Sequence, residues 1–89
     1  MVNKRRSEIQ IIAEILDLSK KGAKKTEILY QNNMSFLQLQ NYLTFLLDKN
    51  IIEETTAKNG NGTENKIYIN TEKGNNLLDD IEKLFTYFE

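Results

Sequence analysis

Gln38 and Asn41 lie three residues apart in the stretch SFLQLQNYLTFLLDK, so on a helix they stand about one turn from each other. A carboxamide holds a donor and an acceptor in one plane and can pair twice with another planar edge. Leu37 and Thr44 occupy the same side at helical spacing and offer methyl groups. Lysines gather around this segment in the sequence: Lys20, Lys21, Lys24 and Lys25 before it, Lys58 and Lys66 after it. The chemistry on offer is recognition by hydrogen bonds and charge. Catalysis has little to work with, since the chain has no His and no Cys and so lacks the commonest general base, thiolate and metal ligands. Glu53-Glu54 and Asp79-Asp80-Glu82 are the carboxylate clusters, and the second falls on the solvent side of a helix. No Gly-rich phosphate loop joins a strand to a helix. The chain is expected to be no enzyme, with no metal site and no cofactor.

At 89 residues the chain is a single small domain, near the size at which stability is often borrowed from a partner. Net charge is −1, yet its distribution is uneven. The first quarter is basic through Lys4, Arg5, Arg6, Lys20, Lys21, Lys24 and Lys25, whereas Glu72, Asp79, Asp80, Glu82 and Glu89 make the last segment acidic. One end can face an anion while the other avoids it. The basic start and apolar run superficially resemble a signal peptide, but Glu14 and Asp17 interrupt the run and no small-residue cleavage site follows. A soluble, cytoplasmic protein without membrane contact is the expectation.

Four helices, two strands and a hairpin tip must position these groups. Ser7 with Gln10 forms a capping box and opens a helix to about Lys20, with Ile9, Ile12, Ala13 and Leu16 on one face and Ile11, Ile15 and Leu18 extending it round the back. A short helix from about Lys24 to Gln31 buries Ile28 and Leu29. Asn32-Asn33 turns the chain, and Ser35 with Gln38 caps a third helix, Phe36 to about Lys49, with Met34 and Leu39 spaced as a hydrophobic staple. That helix is expected to bury Phe36, Leu39, Leu43, Leu46 and Leu47. Period two then replaces the helical period over Ile51–Thr56 and Lys66–Asn70, with Ile67 and Ile69 on one face and Asn-Gly dipeptides at the tip. Thr71 opens the last helix, along which Leu77, Ile81, Leu84 and Phe88 recur like a coiled-coil seam beside Leu78 and Phe85.

Helix, short helix, turn, longer helix, hairpin, helix is an α+β order, mostly α. It is the order of a winged helix-turn-helix: a three-helix core, a β-hairpin wing and a C-terminal helix for dimerisation. The reading divides the chain into a winged domain with a basic arm over residues 1–70 and a dimerisation helix over 71–89.

The segment GAKKTEILYQNNMSFLQLQNYLTFLLDKNIIEE followed by IYINTEKGNNLL resembles the archaeal winged helix-turn-helix DNA-binding proteins, transcriptional regulators and small dimeric chromatin-type proteins. The resemblance rests on Lys25-Thr26, Tyr30, Ser35, Tyr42-Leu43, Leu46-Leu47 and Thr71-Glu72-Lys73-Gly74, and covers roughly residues 7 to 85. It implies binding of double-stranded DNA by a homodimer whose last helices pair as an antiparallel coiled coil. Ile11, Ile15, Leu77, Leu78, Ile81, Leu84, Phe85 and Phe88 form the expected interface, since they exceed what one small core would use. The competing arrangement folds the last helix onto its own first helix.

One departure matters. The outward side of the third helix carries Leu37, Gln38, Asn41, Thr44, Phe45 and Asp48, without a Lys or Arg. Phosphate neutralisation must then come from Lys24 and Lys25 with Thr26 beside them, from Lys20 and Lys21 before them, from the Lys4-Arg5-Arg6 arm, and from Lys58 and Lys66 flanking Asn61 on the wing. Ser35 holds the start of the helix. Base reading falls to Gln38 and Asn41 toward adenine and to Leu37 or the Thr44 methyl toward thymine. Phe45 and Leu37 equally suit packing under the wing or docking on a protein, which defines the alternative: a winged-helix interaction module without DNA binding. Tyr30 and Tyr42 read as residues at the edge of the core.

Overall fold

The computed structural model describes residues 7–58, 60 and 62–88. Each helix begins where a side chain can take up its first N–H groups. Helix α1 (Glu8–Leu18) starts at Ser7, whose Oγ accepts from Gln10 N at 3.1 Å while Gln10 Oε1 accepts from Ser7 N at 2.9 Å. Helix α2 (Lys25–Asn32) has half of such a box: Glu27 Oε1 accepts from Lys24 N at 3.0 Å, and Lys24 has no acceptor to return. Asn33 then takes the left-handed conformation, φ 50° and ψ 50°, which asparagine adopts at lower cost than most residues. The buried Asn32 amide turns back onto Ile28 O at 3.0 Å.

Helix α3 (Phe36–Asp48) carries the full reciprocal box, Ser35 Oγ with Gln38 N and Gln38 Oε1 with Ser35 N, both at 3.1 Å. It ends on Asn50, φ 59°, with Asn50 N donating to Leu47 O at 3.1 Å and Ile51 N to Leu46 O at 2.9 Å. That pair of bonds satisfies the last carbonyls and turns the chain directly into β1.

Strands β1 (Ile52–Lys58) and β2 (Glu64–Asn70) form an antiparallel hairpin pairing Ile52 with Asn70 and Lys58 with Glu64. Both are longer than their sequence pattern suggests. The segment between α1 and α2 joins the outer edge of β2, Ala23 N to Tyr68 O and Tyr68 N to Ala23 O, each 2.9 Å. Gly22 makes this possible: its φ is +97°, and a Cβ there would stand 2.8 Å from Ile67 Cγ2.

Helix α4 (Glu72–Thr86) is fastened at its first turn. Thr71 Oγ1 accepts from Gly74 N at 3.1 Å and donates to Asn50 O at 2.6 Å. Lys73 Nζ reaches Lys49 O at 2.7 Å, a cation on the carbonyl end of α3. The Thr-Glu-Lys-Gly stretch is therefore a clasp between α4 and the junction of α3 with β1.

The core draws on every element: Ile15 and Leu16 from α1, Ile28 from α2, Leu39, Leu43 and Leu46 from α3, Ile52 from β1, Tyr68 from β2 and Leu78 from α4. Elements on both sides of residue 70 thus share one core. One sequence expectation needs correcting. Phe36 stands 60% exposed rather than buried: it is the first residue of α3, and its ring meets Lys25 Nζ instead of the core. On β2 the deepest residues are Tyr68 and Asn70, while Ile67 and Ile69 are half-buried on the other face. Asn70 is accommodated inside because its Nδ2 donates to Leu16 O at 2.7 Å and to Asn75 Oδ1 at 3.0 Å. Among the described residues, no helix is long and apolar enough to cross a membrane.

Candidate nucleic-acid interface

At 100° per residue, the buried stripe Leu39, Leu43 and Leu46 leaves Leu37, Asn41, Thr44 and Asp48 on the opposite side of α3. All four are exposed. The structure thus presents this stripe away from the globule. Gln38 and Phe45 lie on one flank, where with Asn41 and Tyr42 they form the α3 side of a groove whose α1 side is Glu8, Ile9 and Ile12. Gln40 lies on the other flank, toward α2.

The three carboxamides on this accessible surface differ in what they are free to do. Gln38 Oε1 is engaged by Ser35 N in the capping box; releasing it would forfeit part of a cap worth about 0.5–2 kcal/mol. Gln40 Oε1 accepts from Lys25 Nζ, and Gln40 Nε2 donates to Thr44 Oγ1 at 3.4 Å. Asn41 is exposed. Gln38 is thus first a structural residue, which the capping signature itself announced.

Lys24, Lys25, Thr26, Asn65 and Lys66 line one depression between the start of α2 and the wing. The positive end of the α2 dipole lies in the same place. Of the basic residues expected at an interface, the structure brings these three lysines together. They are not equivalent. Lys24 is exposed. Lys25 is half-buried, bonded to Gln40 and 4.7 Å from the centroid of the Phe36 ring, a cation–π contact. Lys66 Nζ is 3.7 Å from Glu54 Oε1, so part of its charge is offset. Lys58 lies exposed at the outer end of β1, opposite Glu64. Asn61 and the Lys4-Arg5-Arg6 arm lie outside the described residues. Sequence reasoning did not single out Asn65 or Gln40, and it noted Glu54 only as part of a carboxylate pair; their places here come from contacts between elements, which spacing along one element does not show. Burial first, and then the carboxylate of Glu54, pushes the Tyr68 phenol above its ordinary range. At the close of α1, Asp17, 3.0 Å away, holds Lys20 above the usual lysine value.

The expected partner face divides. Ile15 is fully buried, and Leu78 and Ile81 are 3% and 5% exposed. These three are core residues of one chain, which removes them from any surface set. The physical reason is that α4 lies along α1, so the back of α1 is covered from within. Ile11, Leu77 and Phe85 are half-buried. Leu84 and Phe88 remain exposed at the far end of α4, and Tyr87, absent from the expected set, stands 83% exposed beside them. Its spacing, three residues beyond Leu84, was the available signal.

A winged helix-turn-helix family model matches residues 5–88. An uncharacterized protein of Methanocaldococcus jannaschii is 38% identical over 82 residues, covering 91% of this chain and 35% of that protein. The chain therefore spans about a third of the length of that curated relative. Among solved structures, a PadR-like transcription factor from Bacteroides fragilis matches with a TM-score of 0.74 at 20% identity, over 88% of this chain and 82% of that one. A possible transcriptional regulator from Methanosarcina mazei Go1 matches with a TM-score of 0.60 at 12% identity, over 92% and 71%. The two solved structures share the fold.

Proposed function

The chain belongs to the winged helix-turn-helix family, and from that premise we propose that it binds double-stranded DNA as a homodimeric cytoplasmic regulator of transcription or chromatin. Helix α3 enters the major groove, and the wing near residues 57–66 approaches the backbone or the minor groove. The observation that carries this reading is the juxtaposition of a clear outward stripe, Leu37, Asn41 and Thr44, with Lys24, Lys25 and Lys66 gathered at the depression beside it. Lysines at the start of α2 meet phosphates while α3 meets base edges. Ser35 caps the start of α3, and Thr26 stands beside Lys24 and Lys25 at the start of α2. The exposed end of α4, Leu84, Tyr87 and Phe88, suits pairing with a second copy, which would set two α3 helices at a fixed separation.

One observation favours a second reading. From Phe36 to Asp48 helix α3 carries no cation, and Phe36 and Leu37 are exposed, which also suits docking on an apolar protein surface. A fluorescence anisotropy titration of a labelled duplex at low and moderate salt separates the two. DNA binding gives an affinity that falls steeply with salt, by about 0.9 in the log–log slope for each phosphate neutralised. Absence of binding to a mixed duplex pool at low salt would end the DNA reading and leave the docking module.

A further inference from the structure

We infer that the outward stripe of α3 selects A·T base pairs through the major groove, with Asn41 reading adenine and Leu37 and Thr44 packing on thymine methyls. This rests on the DNA-binding reading above and narrows it to a class of site.

Adenine is read in two places at once: a carboxamide oxygen accepts from N6 and its nitrogen donates to N7. Both atoms must be available on one side chain. Gln38 has its oxygen committed to Ser35 N, and Gln40 is held between Lys25 and Thr44. The Asn41 side chain has no hydrogen bond among the described residues and is exposed at the middle of the stripe.

Guanine is read by a cation delivering donors to O6 and N7. Helix α3 has none, and the neighbouring Lys25 is fastened to Gln40 and the Phe36 ring. Cytosine offers N4–H₂ and needs an acceptor. Asp48 could supply one, but at the last residue of α3 it lies roughly 6 Å along the axis beyond Thr44, outside the Leu37–Thr44 span.

Thymine alone presents a methyl group in the major groove. Leu37 stands 68% exposed, one turn before Asn41, and the exposed Thr44 lies just under a turn after it. Leu37 and Thr44 are separated by roughly 10 Å along α3. At about 3.4 Å per base pair that spacing matches a run of about three to four pairs. One amide between two methyl-bearing side chains is complementary to adenine flanked by thymines.

The full chain is used to select duplexes from a random pool, and the tightest site is then remade with single-atom-group changes and measured by anisotropy. The expected site holds an A·T run. Uracil for thymine, which removes the C5 methyl alone, weakens binding several-fold. Diaminopurine for adenine, which adds a minor-groove amino group alone, leaves it within about twofold. Replacing the run by G·C weakens binding by roughly tenfold or more. Asn41→Ala flattens the A·T over G·C preference with the salt slope retained, while Gln38→Ala, checked for folding by circular dichroism, keeps the preference.

A selected site without A·T preference, or one indifferent to uracil and to Asn41→Ala, overturns the inference while salt-dependent binding leaves the DNA reading standing. Sensitivity to diaminopurine with indifference to uracil also overturns it, by assigning the preference to the minor groove. No binding to any duplex at low salt removes both.

Discussion

Gly74 passes so close to Ile51 that a Cβ built on it would lie 2.0 Å from the Ile51 carbonyl oxygen. The obstacle is backbone, which cannot rotate aside, and it is the oxygen that accepts from Thr71 N at 3.1 Å. Two effects oppose each other in Gly74→Ala. Alanine is the better helix former by about 1 kcal/mol, whereas overpacking at a rigid contact typically costs about 1–3 kcal/mol. A separation far inside van der Waals contact decides for the clash. Gly74→Ala is expected to lower stability by about 1–2 kcal/mol in urea titrations, and an increase would show that α4 is free to shift.

The elements were legible in the sequence because their local chemistry is strong. Ser7-Gln10 and Ser35-Gln38 are reciprocal caps, Asn33 takes the left-handed turn, and the Asn-Gly pairs mark a hairpin. What local chemistry cannot convey is which element covers which. The seam on α4 read as surplus apolar surface, yet Leu78 and Ile81 are consumed against the chain's own core and α1. At the candidate interface, the outward stripe of α3 followed from helical periodicity alone. The pairing of Lys25 with Gln40 and the offset of Lys66 by Glu54 join residues far apart in the chain, and no spacing reveals them.

Lys24 and Lys25 are neighbours with different tasks, and substitution is expected to separate them. Lys24 is exposed, so Lys24→Ala should remove a phosphate contact, weaken all duplexes alike and reduce the salt slope by roughly 0.9. Lys25 links α2 to Gln40 and Phe36, so Lys25→Ala should also lower stability, by about 0.5–1.5 kcal/mol. Thermal melts alongside anisotropy check both. Equal effects of the two variants on melting would show that the Lys25 contacts carry no net energy.

Tyr68 gives stability a defined alkaline limit. Its phenol is raised above the ordinary value of about 10 by burial first and by Glu54 second, so the folded state favours the neutral form. The contribution is fully present below the ordinary value and is lost as pH rises toward and through the folded-state value, because the unfolded chain releases its proton first. Urea midpoints are expected to be level in this respect from pH 7 to 9 and to fall above about 10. Tyr68→Phe removes the ionisation, so its alkaline fall should be the shallower of the two. Deprotonating lysines affect both proteins, which is why the difference between them is the quantity to read. Parallel curves would show that the phenol is not strained by ionisation.

The end of α4 separates a partner face from a core face within a few residues. Ile81 is buried, whereas Leu84, Tyr87 and Phe88 follow at helical spacing and are exposed. Clustered apolar groups of this size at one end of a helix seldom stay in water. If two copies pair there about a twofold axis, each apolar group meets the same patch on its partner. Leu84→Glu combined with Phe88→Glu is then expected to convert a dimer to a monomer in sedimentation equilibrium, with far-ultraviolet circular dichroism unchanged, and to weaken DNA binding by losing one of two linked half-sites. Ile81→Glu should behave differently, since an unpaired carboxylate in the core costs enough to unfold so small a domain. A wild-type protein that sediments as a monomer at tens of micromolar, with the double variant indistinguishable from it, would leave the exposed end of α4 for some other partner and rule out homodimerisation there.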